Sequence, residues 1–229
     1  MNFYVLTLFP EIIDGALNHS ILKRAMAAGH VGVETVNIRD FAEGRHKQCD
    51  DTPYGGGAGM VMMAPPIFNA YQSLKDKVKE GTRVVYMTPQ GEPFSQKKAI
   101  ELSKENNLIL LCGHYEGIDE RVIEEIVTDE ISIGDYILTG GELAACIVID
   151  AIARLTPNVL HNAESVNDET FSENTGKLLE YPHYTRPYDF MGRTVPDVLL
   201  SGHHKKIEEW RKEQSLKRTK QKRPDLLDC

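Results

Sequence analysis

Two periods of apolar and polar positions alternate along most of the chain. Residues 3–9 alternate well enough to predict a strand. Pro10 then opens a helix whose apolar Ile12, Ile13, Ala16 and Leu17 continue into Ile21, Leu22, Ala25 and Met26, with Gly29 as its stop. Val31–Ile38 returns to period two and predicts a second strand. From Arg39 to Ala64 regularity fails, and this stretch holds the glycine-rich run Asp50-Asp-Thr-Pro-Tyr-Gly-Gly-Gly-Ala-Gly-Met60, long enough to suggest a functional loop. Pro65–Glu80 predicts a helix with proline in its first turn. Arg83–Thr88 predicts a strand, and Ser95 caps a helix reaching Asn106. Leu108–Cys112 is apolar throughout, as a strand buried on both faces would be. A short helix over Asp119–Val127, a strand over Glu130–Ile133 and a mostly buried helix over Glu142–Arg154 follow.

Strands alternating with helices predict an α/β fold with a parallel sheet. Ligands of such sheets sit beyond the carboxyl ends of the strands. Three consecutive strands here end in segments dense in Gly, Pro and polar residues: 88–93, 113–117 and 132–141. The last carries Gly134, Gly140 and Gly141. Taken alone it reads equally as a tight connection or as backbone laid against a small ligand; three such ends together favour a small-molecule pocket. Beyond Thr156-Pro157 the pattern weakens. His161–Lys177 is polar without a sustained period and reads as a flexible linker. Leu178 onward reads as a small unit ending in helices near His203–Glu213 and Gln214–Lys222. The expected organisation is therefore a cofactor-binding unit over 1–160, a linker over 161–177 and a helical unit over 178–229.

Composition narrows the class. No apolar run in the 229 residues reaches the ~18–20 needed to span a membrane, and the N-terminus lacks the basic start of a signal peptide. Cys49, Cys112, Cys146 and Cys229 are scattered, which predicts free thiols in a reducing cytoplasm and no cysteine-based zinc site. The net charge of −8 argues weakly against nucleic acid, but its distribution is uneven. Ser201–Cys229 holds nine Lys/Arg against five Asp/Glu, while the first 200 residues carry a net −12. A basic end on an acidic body suits a polyanion contact; a solvated amphipathic helix pair is the alternative.

No G-x-G-x-x-G, G-x-x-x-x-G-K-[ST] or G-x-S-x-G is present, which excludes the common dinucleotide, Walker and hydrolase sites. His203-His204 lacks a third ligand and reads as surface, and Cys112 and Cys146 read as core. Asp150 and Arg154 stand at i,i+4, either as a helix ion pair or with the arginine aimed into the pocket. Glu116 is either an exposed loop carboxylate or one facing a cation. Asp168 and Glu169 read by composition as solvated linker charge.

Five long motifs add what spacing cannot. Asp50–Met60, Cys112-Gly-His-Tyr-Glu-Gly-Ile-Asp-Glu-Arg121, Ser132–Glu142, Tyr181-Pro-His-Tyr-Thr-Arg-Pro187 and Leu200-Ser-Gly-His-His204 resemble, in order and across the chain, the bacterial tRNA (guanine-N1)-methyltransferases. The resemblance implies methylation of the guanosine at position 37 of tRNA, just 3′ of the anticodon. It implies an α/β fold with a deep trefoil knot, a homodimer with active sites at the subunit interface, and S-adenosylmethionine as methyl donor, with Mg²⁺ suggested as an assistant. The cofactor residues it implies are Pro89, Gly113, Tyr115, Glu116, Ser132, Ile133, Gly134, Asp135, Tyr136, Ile137, Leu138, Gly140 and Gly141, with much of the adenine contact from the backbone of 133–138. Arg154 matches the family arginine that stabilises guanine O6. The family base is an Asp before Ser-Phe; this chain reads Asn167-Asp168-Glu169-Thr170-Phe171, so register from Phe171 implies Glu169, with Asp168 as the alternative. Lys205, Lys206, Arg211, Lys217, Arg218, Lys220, Lys222 and Arg223 become candidates for tRNA phosphates, with Trp210 expected to pack. A non-catalytic RNA-binding protein on the same fold is the competing reading, favoured by the departure at Glu169.

Overall fold

The structure, a computed structural model, describes residues 1–160, 169–172 and 178–227. The chain divides into two compact units, Met1–His161 and Asn162–Cys229. Among the described residues no helix is long and apolar enough to cross a membrane.

The first unit is α/β. Its five-stranded sheet has the order β2 (Gly32–Asn37), β1 (Asn2–Thr7), β6 (Asn107–Cys112), β5 (Val84–Pro93), β7 (Asp129–Ser132), with every neighbouring pair parallel. β6 lies at the centre. Side chains along a strand alternate between faces, so Leu108, Leu110 and Cys112 enter one core and Ile109 and Leu111 the other, all fully buried. The first core is closed by α1 (Pro10–Leu17), α2 (Ser20–Ala27), α4 (Gln96–Leu102) and α6 (Glu142–Ala153). The second is closed by α3 (Ala64–Gln72) and α5 (Glu120–Ile126). Two covered faces explain why β6 shows no polar alternation.

Several elements depart from the sequence expectation. The long first helix is two, because Ser20 adopts a left-handed φ of 50° and turns the chain. The apolar stripe runs on across the break, so periodicity did not reveal it. α3 ends at Gln72, eight residues before Glu80; Leu74 is buried beyond it, and the polar 75–80 run has only Val78 to hold against the core. β5 continues to Pro93, with Met87 and Glu92 both opposite Ile131, so residues 88–91 form a bulge in the pairing, with Gly91 pressed onto the β7 backbone at Glu130–Ile131. The irregular 39–64 stretch holds a two-residue antiparallel pair, β3 (Asp50–Asp51) with β4 (Val61–Met62).

In the second unit a small hairpin pairs Asp189–Phe190 with Arg193–Thr194, and a short helix spans Asp197–Leu200. The two expected C-terminal helices are one, His204–Lys222. Gln214-Ser215 does not interrupt it, and the Thr219 hydroxyl donates back to the Ser215 carbonyl at 2.8 Å.

Candidate active site

β5, β6 and β7 end side by side, and the segments leaving them enclose a cavity of about 550 Å³. That is inside the range of roughly 300–1,000 Å³ usual for small-molecule and cofactor sites. Residues 86–90, 113–118, 130–134 and 136–141 line it, with Glu120 and Ile123 from α5 and Ala144 from the first turn of α6. Pro89, Gly113, Tyr115, Glu116, Ser132, Ile133, Gly134, Tyr136, Ile137, Leu138, Gly140 and Gly141 are thus brought together around one space; Asp135 is not on its lining.

Local hydrogen bonds set the shape of the wall. The Ser132 hydroxyl accepts the Gly134 N–H at 3.2 Å and donates to the Gly134 carbonyl at 3.1 Å, pinning the chain where Gly134 has φ +144°. The Tyr136 hydroxyl donates to the Ile133 carbonyl at 3.2 Å. Gly141 N–H donates to Gly113 O at 2.9 Å, and His114 and Gly140 form an antiparallel bridge, so the 113–117 and 132–141 segments are joined directly. Glu116 N–H donates to Met60 O and Met62 N–H to Gly117 O, both at 3.0 Å, which ties the end of the glycine-rich 50–60 loop to the same wall. Tyr86 rises under Gly113; burial pushes its phenol up, against hydrogen bonds to Thr88 and the Ile118 backbone, so it keeps its proton at neutral pH.

Behind the wall lies a buried polar group that sequence reasoning missed. Glu142, the first residue of α6, is 2% exposed. Its Oε1 accepts the Thr7 hydroxyl at 2.5 Å, and its Oε2 lies 2.7 Å from His114 Nε2. The available signals were weak: a carboxylate opening an apolar helix and a histidine between two strand-end residues. Cys112 and Cys146 are buried in the core. Burial raises the Cys112 thiol well above its ordinary value and pushes Cys146 up to about 11, with Glu142 adding to both, so neither is a thiolate nucleophile at neutral pH.

The family model for tRNA (guanine-1)-methyltransferase TrmD matches residues 1–229. A Lachnospira eligens protein named tRNA (guanine-N(1)-)-methyltransferase is 56% identical over 228 residues, covering 100% of this chain and 95% of its own. A Staphylococcus aureus protein of the same name is 57% identical over 228 residues, covering 100% of this chain and 91% of its own. The chain belongs to the tRNA (guanine-1)-methyltransferase TrmD family.

The remaining residues implied by the TrmD resemblance lie elsewhere. Arg154 is half-buried at the C-terminal end of α6, where the helix dipole favours a cation, whereas the cavity touches the first turn of that helix. The two ends are about 18 Å apart at 1.5 Å per residue, so this chain does not bring its own Arg154 to its own cavity. Glu169 is half-buried in the second unit, and Asp168 lies outside the described residues. His203 and His204 are exposed, and among the described residues no three His, Cys, Asp or Glu side chains cluster to hold a metal. In the second unit the Arg211 guanidinium stacks over Tyr181 at 4.6 Å, and Trp210 packs on Tyr184 at 6.3 Å.

Proposed function

We propose that the protein transfers the methyl group of S-adenosylmethionine to N1 of the tRNA guanosine just 3′ of the anticodon. The observation that carries this reading is the cavity beyond β5, β6 and β7, built by three glycine- and proline-rich segments in a chain that matches the TrmD family from end to end. The residues suit that donor. The lining residues Ile133, Gly134, Ile137 and Leu138 offer backbone groups for adenine, Tyr136, Ile137 and Leu138 offer apolar contact, and Glu116 stands on the same wall. S-adenosylmethionine supplies a methyl group activated by a positively charged sulfur.

The chain's own residues handle the proton and the charge. Guanine N1 is a poor nucleophile until its proton leaves. A carboxylate of the 161–177 segment takes that proton, Glu169 by register from Phe171 and Asp168 as the alternative. The Arg154 guanidinium stabilises the negative charge that develops on O6. Because Arg154 and the cavity occupy opposite ends of α6, a second copy of the chain completes the site. The apolar surface near the cavity supports a homodimer: Ile137, Leu143 and Ile147 are 81%, 53% and 48% exposed. The same reading takes the strand-end segments to be the loops of a deep trefoil knot. The placement of β5 between β6 and β7, out of chain order, with its strand-end segment against theirs, supports this.

Residues 1–160 bind the donor, 161–177 supply the base, and 178–229 grip the tRNA, which puts the reaction in the cytoplasm. The helix His204–Lys222 offers exposed Lys205, Lys206, Arg211, Lys217, Lys220 and Lys222, with half-buried Arg218 and the adjoining Arg223. Exposed Tyr184, Tyr188 and Phe190 in the same unit suit stacking on unpaired bases. Mg²⁺ as an assistant suits an ion held by one carboxylate and water, and exposed Glu116 is the candidate. The test is incubation with labelled S-adenosylmethionine and tRNA transcripts. Label should enter a transcript with G just 3′ of the anticodon and not one with A there. Cofactor binding with no incorporation into either transcript would refute the reading.

A further inference from the structure

One buried acidic side chain has no role in the steps above. Glu142 does not line the cavity, yet its carboxylate is withdrawn from water at the start of α6. A buried carboxylate is costly unless paired and hydrogen-bonded. Here the Thr7 hydroxyl, the His114 imidazole and the positive end of the α6 dipole satisfy it. Thr7 is itself fixed at the end of β1, because its oxygen also accepts the Phe9 N–H at 2.9 Å. The His114 ring is held as well: it lies tilted on Phe9 at 4.8 Å, and its main-chain N–H points to Met62 Sδ at 3.2 Å.

Gly140 carries this arrangement to the cavity. A Cβ at that position would lie 2.3 Å from the His114 ring and 2.6 Å from Glu142 Oε2, so the backbone is pressed onto the pair. Gly140 and Gly141 line the cavity, as do Gly113 and His114. The Glu142–His114 pair therefore stands as a strut behind both segments of the wall. We propose that Glu142 is a positioning residue for the methyl-donor site: through Thr7 it is anchored to β1, and through His114 it sets the spacing of the 113–117 and 136–141 segments. This rests on the reading of the cavity as the S-adenosylmethionine site.

Titration calorimetry of S-adenosylmethionine on the full chain tests it, with melting curves to establish that each variant is folded. Glu142→Ala and His114→Phe should each weaken binding at least about tenfold. The double variant should be no weaker than the worse single, because one contact is lost in both. His114→Gln, whose amide N–H reaches the place of imidazole Nε2, and Glu142→Gln should stay within about threefold of the parent. The cofactor KM of His114→Phe should rise more than its kcat falls. Unchanged affinity in folded Glu142→Ala or His114→Phe, or losses that add in the double variant, would overturn the proposal. Should Glu142→Ala not fold, the contrast between His114→Phe and His114→Gln decides, since neither alters α6. A parent protein that binds no S-adenosylmethionine sinks the functional reading and this inference with it. A parent that binds and methylates, with variants that match it, sinks this inference alone.

Discussion

Gly141→Ala probes the junction on which the cavity depends. The new Cβ would lie 2.9 Å from Cys112 Cα, 3.1 Å from Gly113 N and 3.2 Å from Cys112 Cβ. None of these belongs to a side chain that can swing away. Carbon atoms in contact sit about 3.5–4.0 Å apart, so the two segments must separate by roughly 0.6–1 Å. That stretches the 2.9 Å Gly141–Gly113 hydrogen bond, worth about 0.5–1.5 kcal/mol net, and adds overpacking strain of about 1–3 kcal/mol. The sum is about 2–4 kcal/mol. At roughly 2–4 °C per kcal/mol for a chain of this size, the melting of the first unit should fall by about 5–15 °C. S-adenosylmethionine affinity should fall at least about tenfold, since both displaced segments line the cavity. Differential scanning calorimetry and titration calorimetry read the two effects. Gly15→Ala is the control of opposite sign. It lies in α1 with nothing within 4 Å of its added Cβ, so alanine should stabilise by about 0.5–1 kcal/mol. A Gly141→Ala protein that melts and binds like the parent would refute the close-approach reasoning.

Four further outcomes are expected. Asp129, 10% exposed, binds Arg83 through two hydrogen bonds and lies 3.6 Å from Lys98; burial opposes its charge, but Arg83 and Thr128 outweigh it and hold the carboxyl below its ordinary 3.8. Its contribution is thus complete above about pH 4 and lost as pH falls through the folded value, so the stability gap between parent and Asp129→Asn should shrink from about pH 6 to about pH 3; a gap constant across urea titrations at those pH values contradicts this. At saturating cofactor and tRNA, Glu169→Gln should lose about 10²-fold or more in single-turnover rate while Asp168→Asn loses far less; equal residual rates defeat the assignment of Glu169. At cofactor concentrations too low for Gly141→Ala to bind well, a mixture of Arg154→Ala and Gly141→Ala chains should methylate faster than either variant alone, because a mixed dimer holds one site free of both lesions; a rate no higher than the mean of the two separate variants contradicts a site shared between copies. Affinity for tRNA should drop at least about tenfold between roughly 50 and 200 mM salt, read by filter binding, and a flat response excludes phosphate contacts as the main grip.

Much of the architecture was legible in local pattern. The unbroken apolar run of β6 requires two covered faces, and the alternation of strand and helix requires parallel connections. Glycine and proline accumulate at three strand ends, and the parallel sheet brings those ends to one side, so the cavity could be anticipated before its walls were known. The five motifs carried the family likeness because long ordered matches are specific in a way that short spacings are not.

Other features depend on contacts between residues far apart in the chain. Strand order is one: β5 sits between β6 and β7 through pairings such as Met87 with Cys112 and with Ile131, which no local period encodes. The turn at Ser20 is another, since a left-handed residue interrupts a helix without disturbing its apolar stripe. The Thr7–Glu142–His114 contact joins positions 135 and 28 residues apart, and each residue alone looks unremarkable. The amino-acid sequence by itself determined the parallel α/β scaffold, the glycine-rich strand ends and the family. Only the tertiary structure decided that a buried acidic side chain stands behind the cavity wall and that the cavity meets α6 at its first turn, away from Arg154. Hydrophobic periodicity reports which face of an element is buried, whereas a long-range pairing becomes visible only when the sheet sets those elements side by side.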